Sequence, residues 1–134
     1  MKNSPKILIT PGDPSGIGLD ILLAISKKKF PAKIIAITNI DILEERAEIL
    51  KKKINFKEVN LYEGNHPLDS YGKILVHNVK HNKKVIVGSP NIEHAPLILK
   101  SLDIAIEACV KKNADAMVTG PVQKNILMEY GANF

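Results

Sequence analysis

The chain has 134 residues, which suits one domain, and its 45% hydrophobic and 25% charged content is ordinary for a soluble globular protein. Its net charge of +5 comes from short lysine groups rather than one basic cluster, and with three Tyr, three Phe and no Trp there is little surface for stacking bases, so we expect no nucleic-acid partner. The single cysteine, Cys109, suits a reducing cytoplasm, so we expect a cytoplasmic protein. No apolar run approaches the ~18 residues of a membrane span, so we expect no membrane partner.

The first predicted strand, Lys6 to Thr10, runs directly into a glycine-rich turn at residues 11–18. Its nearly continuous apolar character is typical of a strand in a parallel sheet that helices cover on both faces. The turn fails the dinucleotide fingerprint, whose third glycine would fall at Ile21, and it lacks the Gly-Lys-Ser/Thr end of a phosphate-binding P-loop. Two interpretations stay open: an anion site built from backbone N–H groups, or a sharp turn that needs glycine for its shape.

The next segments repeat the strand–helix pattern. Helical periodicity predicts a helix over Gly16 to Lys28, with a buried stripe of Ile17, Ile21, Ala24 and Ile25. A second buried strand, Lys33 to Thr38, precedes a helix that Asn39 or Asp41 caps and whose apolar positions are Ile40, Leu43, Ala47 and Leu50. Two such units in succession predict right-handed crossovers and a mostly parallel sheet flanked by helices, the α/β class.

The segment from residue 54 to 90 is less regular. Short strands are predicted over Phe56 to Leu61 and Lys73 to Val79, the latter with Ile74 and Val76 on one face, and the apolar residues 85–87 end at a Gly-Ser-Pro turn.

The clearest helix follows Asn91, a candidate cap, and ends near Lys112. Its apolar stripe is Ile98, Leu102, Ala105 and Cys109. A buried strand over Asp115 to Thr119 then leads into a Gly-Pro turn, and a short helix over Gln123 to Tyr130 is closed by Gly131.

The first and last predicted strands end in similar turns, Thr-Pro-Gly and Thr-Gly-Pro. In a parallel sheet these ends lie on the same edge and face a shared crevice. Asp13 and Lys124 are therefore candidates for one site. The alternatives are that Asp13 only satisfies nearby backbone N–H groups and that Lys124 is an ordinary solvated lysine.

With these segments in hand, the chain resembles the 4-hydroxythreonine-4-phosphate dehydrogenase family of vitamin B6 biosynthesis. Residues 9–18 (ITPGDPSGIG) and 116–124 (AMVTGPVQK) carry the resemblance, with Gly131 and Phe134 correctly placed after the second segment. The resemblance implies a truncated isocitrate/isopropylmalate dehydrogenase-like fold. Residues 1–134 would be its N-terminal α/β portion, and the second domain would be absent from this chain.

The resemblance also implies a reaction. The family uses NAD and a divalent metal such as zinc, magnesium or cobalt to oxidise the secondary alcohol of 4-phosphohydroxy-L-threonine, after which the product loses carbon dioxide. The metal would polarise the oxygen on which negative charge develops. The implied partners are a small phosphorylated substrate and a second subunit, in a homodimer.

Few site residues carry over. The substrate-binding residues implied are Gly12, Asp13, Thr119, Gly120 and Lys124, with Asp13 and Lys124 the best candidates for a catalytic role. No cofactor-binding residue can be assigned. In the family, a substrate-binding histidine–threonine block and the metal-binding histidines follow the position of Phe134, and none of His66, His77, His81 and His94 matches a metal ligand.

We therefore expect the 134-residue chain alone to lack dehydrogenase activity. Two alternatives remain. One is a paralogue acting on a related four-carbon phosphorylated acid such as threonate 4-phosphate. The other is a non-catalytic α/β module that binds a phosphorylated ligand through the turn from Gly12 to Gly18.

Overall fold

A computed structural model describes residues 4–69 and 71–131 of the chain. These residues form a five-stranded sheet with helices on both faces, and every strand pairing is parallel, which confirms the predicted fold class. In chain order the elements are β1 (Lys6–Thr10), α1 (Gly18–Ile25), β2 (Lys33–Thr38), α2 (Ile40–Ile49), β3 (Asn55–Glu58), β4 (Lys73–Asn78), a 3₁₀ turn (Ile92–His94), α3 (Ala95–Val110), β5 (Ala116–Thr119) and α4 (Lys124–Tyr130).

The strand order is β3-β4-β2-β1-β5. Ile7 of β1 is in register with Ile34 of β2 on one side and with Ala116 of β5 on the other. Strands β2, β3 and β4 thus lie on one side of β1, and the last strand, β5, lies on its other side. In open α/β sheets, such a reversal creates a crevice at the carboxyl ends of the strands.

The hydrophobic core has two layers, one on each face of the sheet. Ile35 and Ile37 of β2 and Leu75 of β4 pack on the α3 side, whereas Ala36, Ile74 and Val76 pack on the side of α1 and α2. Successive strand residues point to opposite faces, so burial of both faces explains the unbroken apolar runs. The predicted placement of Ile74 and Val76 on one face is confirmed.

The predicted inner face of α1 is wrong. Leu19, Leu22 and Leu23 are buried, whereas Ile17 is 60% and Ile21 is 50% exposed. The helix is apolar on two faces, so periodicity alone could not choose between them. The close approach of Gly18 to the Pro11 carbonyl sets the rotation of the helix and turns the leucines inward.

Smaller differences occur elsewhere in the chain. Strand β3 ends at Glu58 instead of Leu61, because the Leu61 N–H leaves the ladder and donates to the His77 ring. On α3, Leu102 and Cys109 are only half-buried; the fully buried residues are Ala95, Leu97, Ile98, Ser101, Ala105 and Ala108. The inner face of α3 is therefore rotated from the predicted stripe.

Helix ends follow the predicted signals. Asn39 Oδ1 accepts the Ile42 N–H at 3.1 Å, which caps α2, and Gly131 ends α4 in the left-handed conformation with φ of 116°. Within residues 4–69 and 71–131, the helices all fall short of the length and apolarity that crossing a bilayer requires.

Candidate functional site

The turns that follow β1 and β5 lie side by side at the edge of the sheet. Thr10 is in register with Thr119, and the Gly120 N–H donates to the Thr10 carbonyl at 2.6 Å. The Asp13 N–H donates to the Pro121 carbonyl at 3.2 Å. The two segments singled out in the sequence therefore form one structure at the strand-order reversal, while their part in binding stays a prediction.

Three glycines make this close approach possible. A Cβ atom on either Gly18 or Gly120 would overlap the carbonyl oxygen of Pro11, and a Cβ on Gly12 would overlap that of Pro121. Gly12 also has a φ of +86°, which L side chains rarely adopt. These glycines serve packing between backbone segments, which favours the turn interpretation over an open anion cradle. Gly16 differs, since a Cβ atom added there would lie 3.5 Å from its nearest neighbour, the Asp13 carbonyl oxygen.

Asp13 is buried within its own turn. Its Oδ1 accepts hydrogen bonds from the Ser15 N–H at 2.9 Å and the Ser15 hydroxyl at 2.8 Å, and the Gly16 N–H donates to its carbonyl at 3.0 Å. This is the turn role considered above for this residue. The same contacts fix the carboxylate in one position, and its role toward a substrate remains a prediction.

The other predicted site residues have different surroundings. Lys124 is exposed at the first position of α4. Thr119 and Gly120 line an apolar groove of about 260 Å³ between α1 and β5, whose walls include Ile9, Ile21, Ile25 and Val118. The structure thus brings Gly12, Asp13 and Gly120 together through the paired turns, while Lys124 stands at the start of the following helix.

Arg46 of α2, which sequence reasoning missed, braces the glycine-rich turn. The residue is 2% exposed, and its guanidinium donates through Nη2 to the Pro14 carbonyl at 2.7 Å and through Nη1 to the Gly16 carbonyl at 3.0 Å. Nη1 also pairs with Asp20 Oδ1 at 2.8 Å. A signal was available, because this is the chain's only arginine among nineteen lysine and arginine residues. The planar guanidinium presents its donors in fixed directions from two nitrogen atoms, a geometry that the single ammonium nitrogen of lysine does not reproduce.

A histidine pair lies beside the turn. His94, 1% exposed just before α3, has its Nδ1 3.0 Å from the Nε2 of half-buried His81. Burial lowers the pKa of both rings; the charges of His94 and Lys83 lower that of His81 further, while Asp13 and Glu93 oppose the shift at His94. A ring-to-ring hydrogen bond needs at least one neutral imidazole. This pair is therefore favoured in the uncharged form.

We expect the free energy of unfolding to fall as the pH drops from about 7.5 to 5.5. Both folded pKa values lie below the ordinary 6.5, so the unfolded chain takes up protons at a higher pH than the folded chain. The stability is therefore present above pH 6.5 and is lost as the pH falls through the folded values. Urea unfolding at several pH values measures this slope. The double substitution His81→Gln/His94→Gln should flatten it, and a slope equal to that of the unchanged protein would contradict the assignment.

The residues that the structure describes do not fit the divalent metal implied by the resemblance. Within residues 4–69 and 71–131, no group of three or more His, Cys, Asp and Glu side chains is arranged to hold a metal ion. His77 accepts the Leu61 N–H through Nδ1, and His81 is engaged with His94. The turn also lacks the third glycine of the dinucleotide fingerprint, since Ile21 occupies that position. We therefore assign no reaction step through metal or NAD to these residues.

Comparison with known proteins gives consistent matches. The family model described as "Pyridoxal phosphate biosynthetic protein PdxA" matches residues 30–134. The 4-hydroxythreonine-4-phosphate dehydrogenase of Wigglesworthia glossinidia brevipalpis is 33% identical over 136 residues, covering 100% of this chain and 40% of the relative. The chain thus spans about two-fifths of the length of the curated relatives it matches.

Solved structures agree with the fold. A 4-hydroxythreonine-4-phosphate dehydrogenase from Burkholderia phymatum superposes with a TM-score of 0.85 at 18% identity, over 99% of this chain and 41% of that one. A terephthalate 1,2-cis-dihydrodiol dehydrogenase from Burkholderia xenovorans matches with a TM-score of 0.76 at 16% identity, over 98% of this chain and 38% of that one. These two structures carry names for different substrates, so the shared fold does not fix the substrate.

Proposed function

Because the chain belongs to the family of the pyridoxal phosphate biosynthetic protein PdxA, we propose that it forms the amino-terminal part of a dehydrogenase acting on 4-phosphohydroxy-L-threonine. The relatives' names support the substrate, and the family description supports a place in vitamin B6 synthesis. By the same kinship we propose that the complete reaction is NAD-dependent, metal-assisted oxidation followed by decarboxylation. We extend the proposal to a homodimer working in the cytoplasm.

The observation that supports this proposal best is the pairing of the two turns at the reversal of strand order. Ligands of open α/β sheets bind outside the carboxyl ends of strands at such a point. Here hydrogen bonds join the turn that holds Asp13 to the turn that holds Gly120. Lys124 is the first residue of the helix that follows the second turn. We propose that Lys124 binds the substrate's phosphate or carboxylate, that Asp13 contributes a fixed charge, and that Gly12, Thr119 and Gly120 line the site.

On this proposal the described residues form one wall of the crevice. The chain spans about 40% of its relatives' length, and no metal ligand set is found among the residues described. We therefore propose that residues 1–134 are the N-terminal α/β portion of a longer family fold, and that the cofactor and metal contacts lie on the remaining length.

We expect the purified 134-residue chain to be inactive alone. With 4-phosphohydroxy-L-threonine, NAD and Mg²⁺, Zn²⁺ or Co²⁺, NADH absorbance should stay at background, because one wall of an active site cannot orient substrate and cofactor together. The complete Wigglesworthia relative serves as the positive control. Turnover by the chain alone would contradict the fragment interpretation.

The substrate is tested by joining this chain to the remaining part of the Wigglesworthia relative, in place of that enzyme's own matching portion. We expect NAD-dependent turnover of 4-phosphohydroxy-L-threonine, and Lys124→Ala should reduce kcat/KM at least about tenfold, the loss of one charge-assisted contact. Lys100→Ala, on α3, is the matched control. A folded chimera that turns over only threonate 4-phosphate would instead support the paralogue. That candidate stays open because the structural neighbours are named for different substrates.

A further inference from the structure

The two edge strands of the sheet differ in chemistry. Strand β3 forms one edge and carries the charges of Lys57 and Glu58, whereas β5 forms the other edge with the uncharged sequence Ala-Met-Val-Thr. Charged side chains on an edge strand oppose pairing with another strand, and an uncharged edge favours it. Among the described strands β5 pairs with β1 alone, and its Val118 is 55% exposed. The β5 edge is therefore the one that favours a further strand.

The apolar groove of about 260 Å³ runs beside this edge. Val118 of β5 is in register with Ile9 of β1, so both side chains lie on the α1 face of the sheet. Ile21 and Ile25 line the groove from α1, and the rest of its lining is aliphatic, glycine or proline apart from Thr119. Burying a charged group costs free energy unless an opposite charge pairs with it. The groove therefore suits apolar side chains and not a phosphorylated ligand.

The position of α4 indicates where a following strand would lie. Leu127 of α4 packs against Ala95 and Ile98 of α3, so α4 lies on the α3 side of the sheet. The connection from β4 through α3 to β5 already carries the chain across that side toward the β5 edge. Crossovers between parallel strands keep one hand. A connection through α4, on the same side, would therefore place the next parallel strand on the free edge of β5.

We propose that the β5 edge and the adjoining groove are the docking surface for the remaining part of the family fold. That part adds a parallel strand to β5 and inserts apolar side chains between β5 and α1. The inference rests on the proposed function, because the occupant is the length that the relatives have beyond the 40% that this chain covers. It adds to that function the surface on which the two parts meet.

Hydrogen exchange of the chain alone and of the chimera with the Wigglesworthia relative tests this surface. The peptide that spans β5 should exchange at least about tenfold more slowly in the chimera, because its outward N–H groups gain acceptors on the added strand. The peptide that spans β3, the charged edge, should exchange at the same rate in both proteins and is the internal control. Equal exchange of β5 in the two folded proteins would overturn the proposal.

Val118→Lys tests the groove, because it places an ammonium group beside Ile9 and Ile21. In the chain alone the residue is exposed, so the unfolding midpoint should change little. In the chimera the substitution should lower the midpoint and return β5 exchange to the rate of the chain alone, since the buried charge has no partner. Val110→Lys, the same change at a 75% exposed position of α3, should have equal effects in both proteins. An equal effect of Val118→Lys in both would refute the docking surface.

The chain alone decides the question if the chimera fails to fold. Fast exchange of β5 together with a monomeric mass by light scattering supports an open edge. Slow exchange of β5 would overturn the proposal, and a dimeric mass would then assign the edge to a second copy of this chain.

The chimera also separates this proposal from the proposed function. Turnover of 4-phosphohydroxy-L-threonine with β5 unprotected would refute the docking surface alone. A protected β5 without that turnover would support the docking surface and count against the substrate.

Discussion

Replacing Arg46 with alanine is expected to destabilise the fold by about 3–5 kcal/mol, the range for removing one partner of a buried charged cluster. The substitution leaves the Pro14 and Gly16 carbonyls without their donors inside the protein. Unpaired buried acceptors cost far more than the net gain of an ordinary hydrogen bond. Urea unfolding followed by circular dichroism measures the change.

Two further variants separate the parts of this cluster. Asp20→Asn removes only the ion pair, and it should cost no more than about 1 kcal/mol, because the Asp20 side chain is 38% exposed and its charge is screened. Arg46→Lys keeps the charge but cannot reach all three acceptors, so an intermediate loss is expected. If Arg46→Ala cost no more than Asp20→Asn, the bracing of the turn would not be the source of stability.

The second large effect is expected from Gly18→Ala. The new Cβ would overlap the carbonyl oxygen of Pro11, a backbone atom that cannot swing away as a side chain could. We expect a loss of about 3 kcal/mol or more, at the upper end for overpacking, although alanine is a better helix former than glycine. The same unfolding measurement applies.

Gly16→Ala is the matched control in the same turn. Its Cβ would meet its nearest neighbour, the Asp13 carbonyl oxygen, at an ordinary 3.5 Å. The substitution restricts the unfolded chain without straining the folded one, so it should stabilise by about 0.4–1 kcal/mol. Opposite signs at positions 16 and 18 distinguish close backbone packing from a general need for glycine, and equal effects would contradict this explanation.

Local signals in the sequence predicted where most elements lie, although β5, predicted to be buried, is mostly exposed. The apolar run of β2 predicted a strand buried on both faces, and Asn39 and Gly131 marked helix ends, because each depends on a few neighbouring residues. The pairing of the two turns followed from the rule that parallel strands share their carboxyl edge. None of these predictions required knowledge of distant contacts.

The features that were missed depend on distant contacts. The rotation of α1 was set by Gly18 against Pro11, and the role of Arg46 by carbonyls some thirty residues earlier in the chain. His81 and His94 were named only as histidines that match no metal ligand, whereas the structure pairs them across a loop. Periodicity within one helix or strand carries no information about such pairs.

The position of β1 between β2 and β5 has a consequence for folding. Its contact with β5 joins Lys6 to Asp115, 109 residues further along the chain, with the Lys6 N–H donating to the carboxylate at 2.8 Å. Closing so long a loop costs chain entropy before any contact compensates it, and non-local pairings of this kind slow folding. During synthesis, β1 emerges from the ribosome before the other four strands of this sheet, but its second edge stays unpaired until β5 has emerged. The first of the five strands to be made is thus completed only by the last.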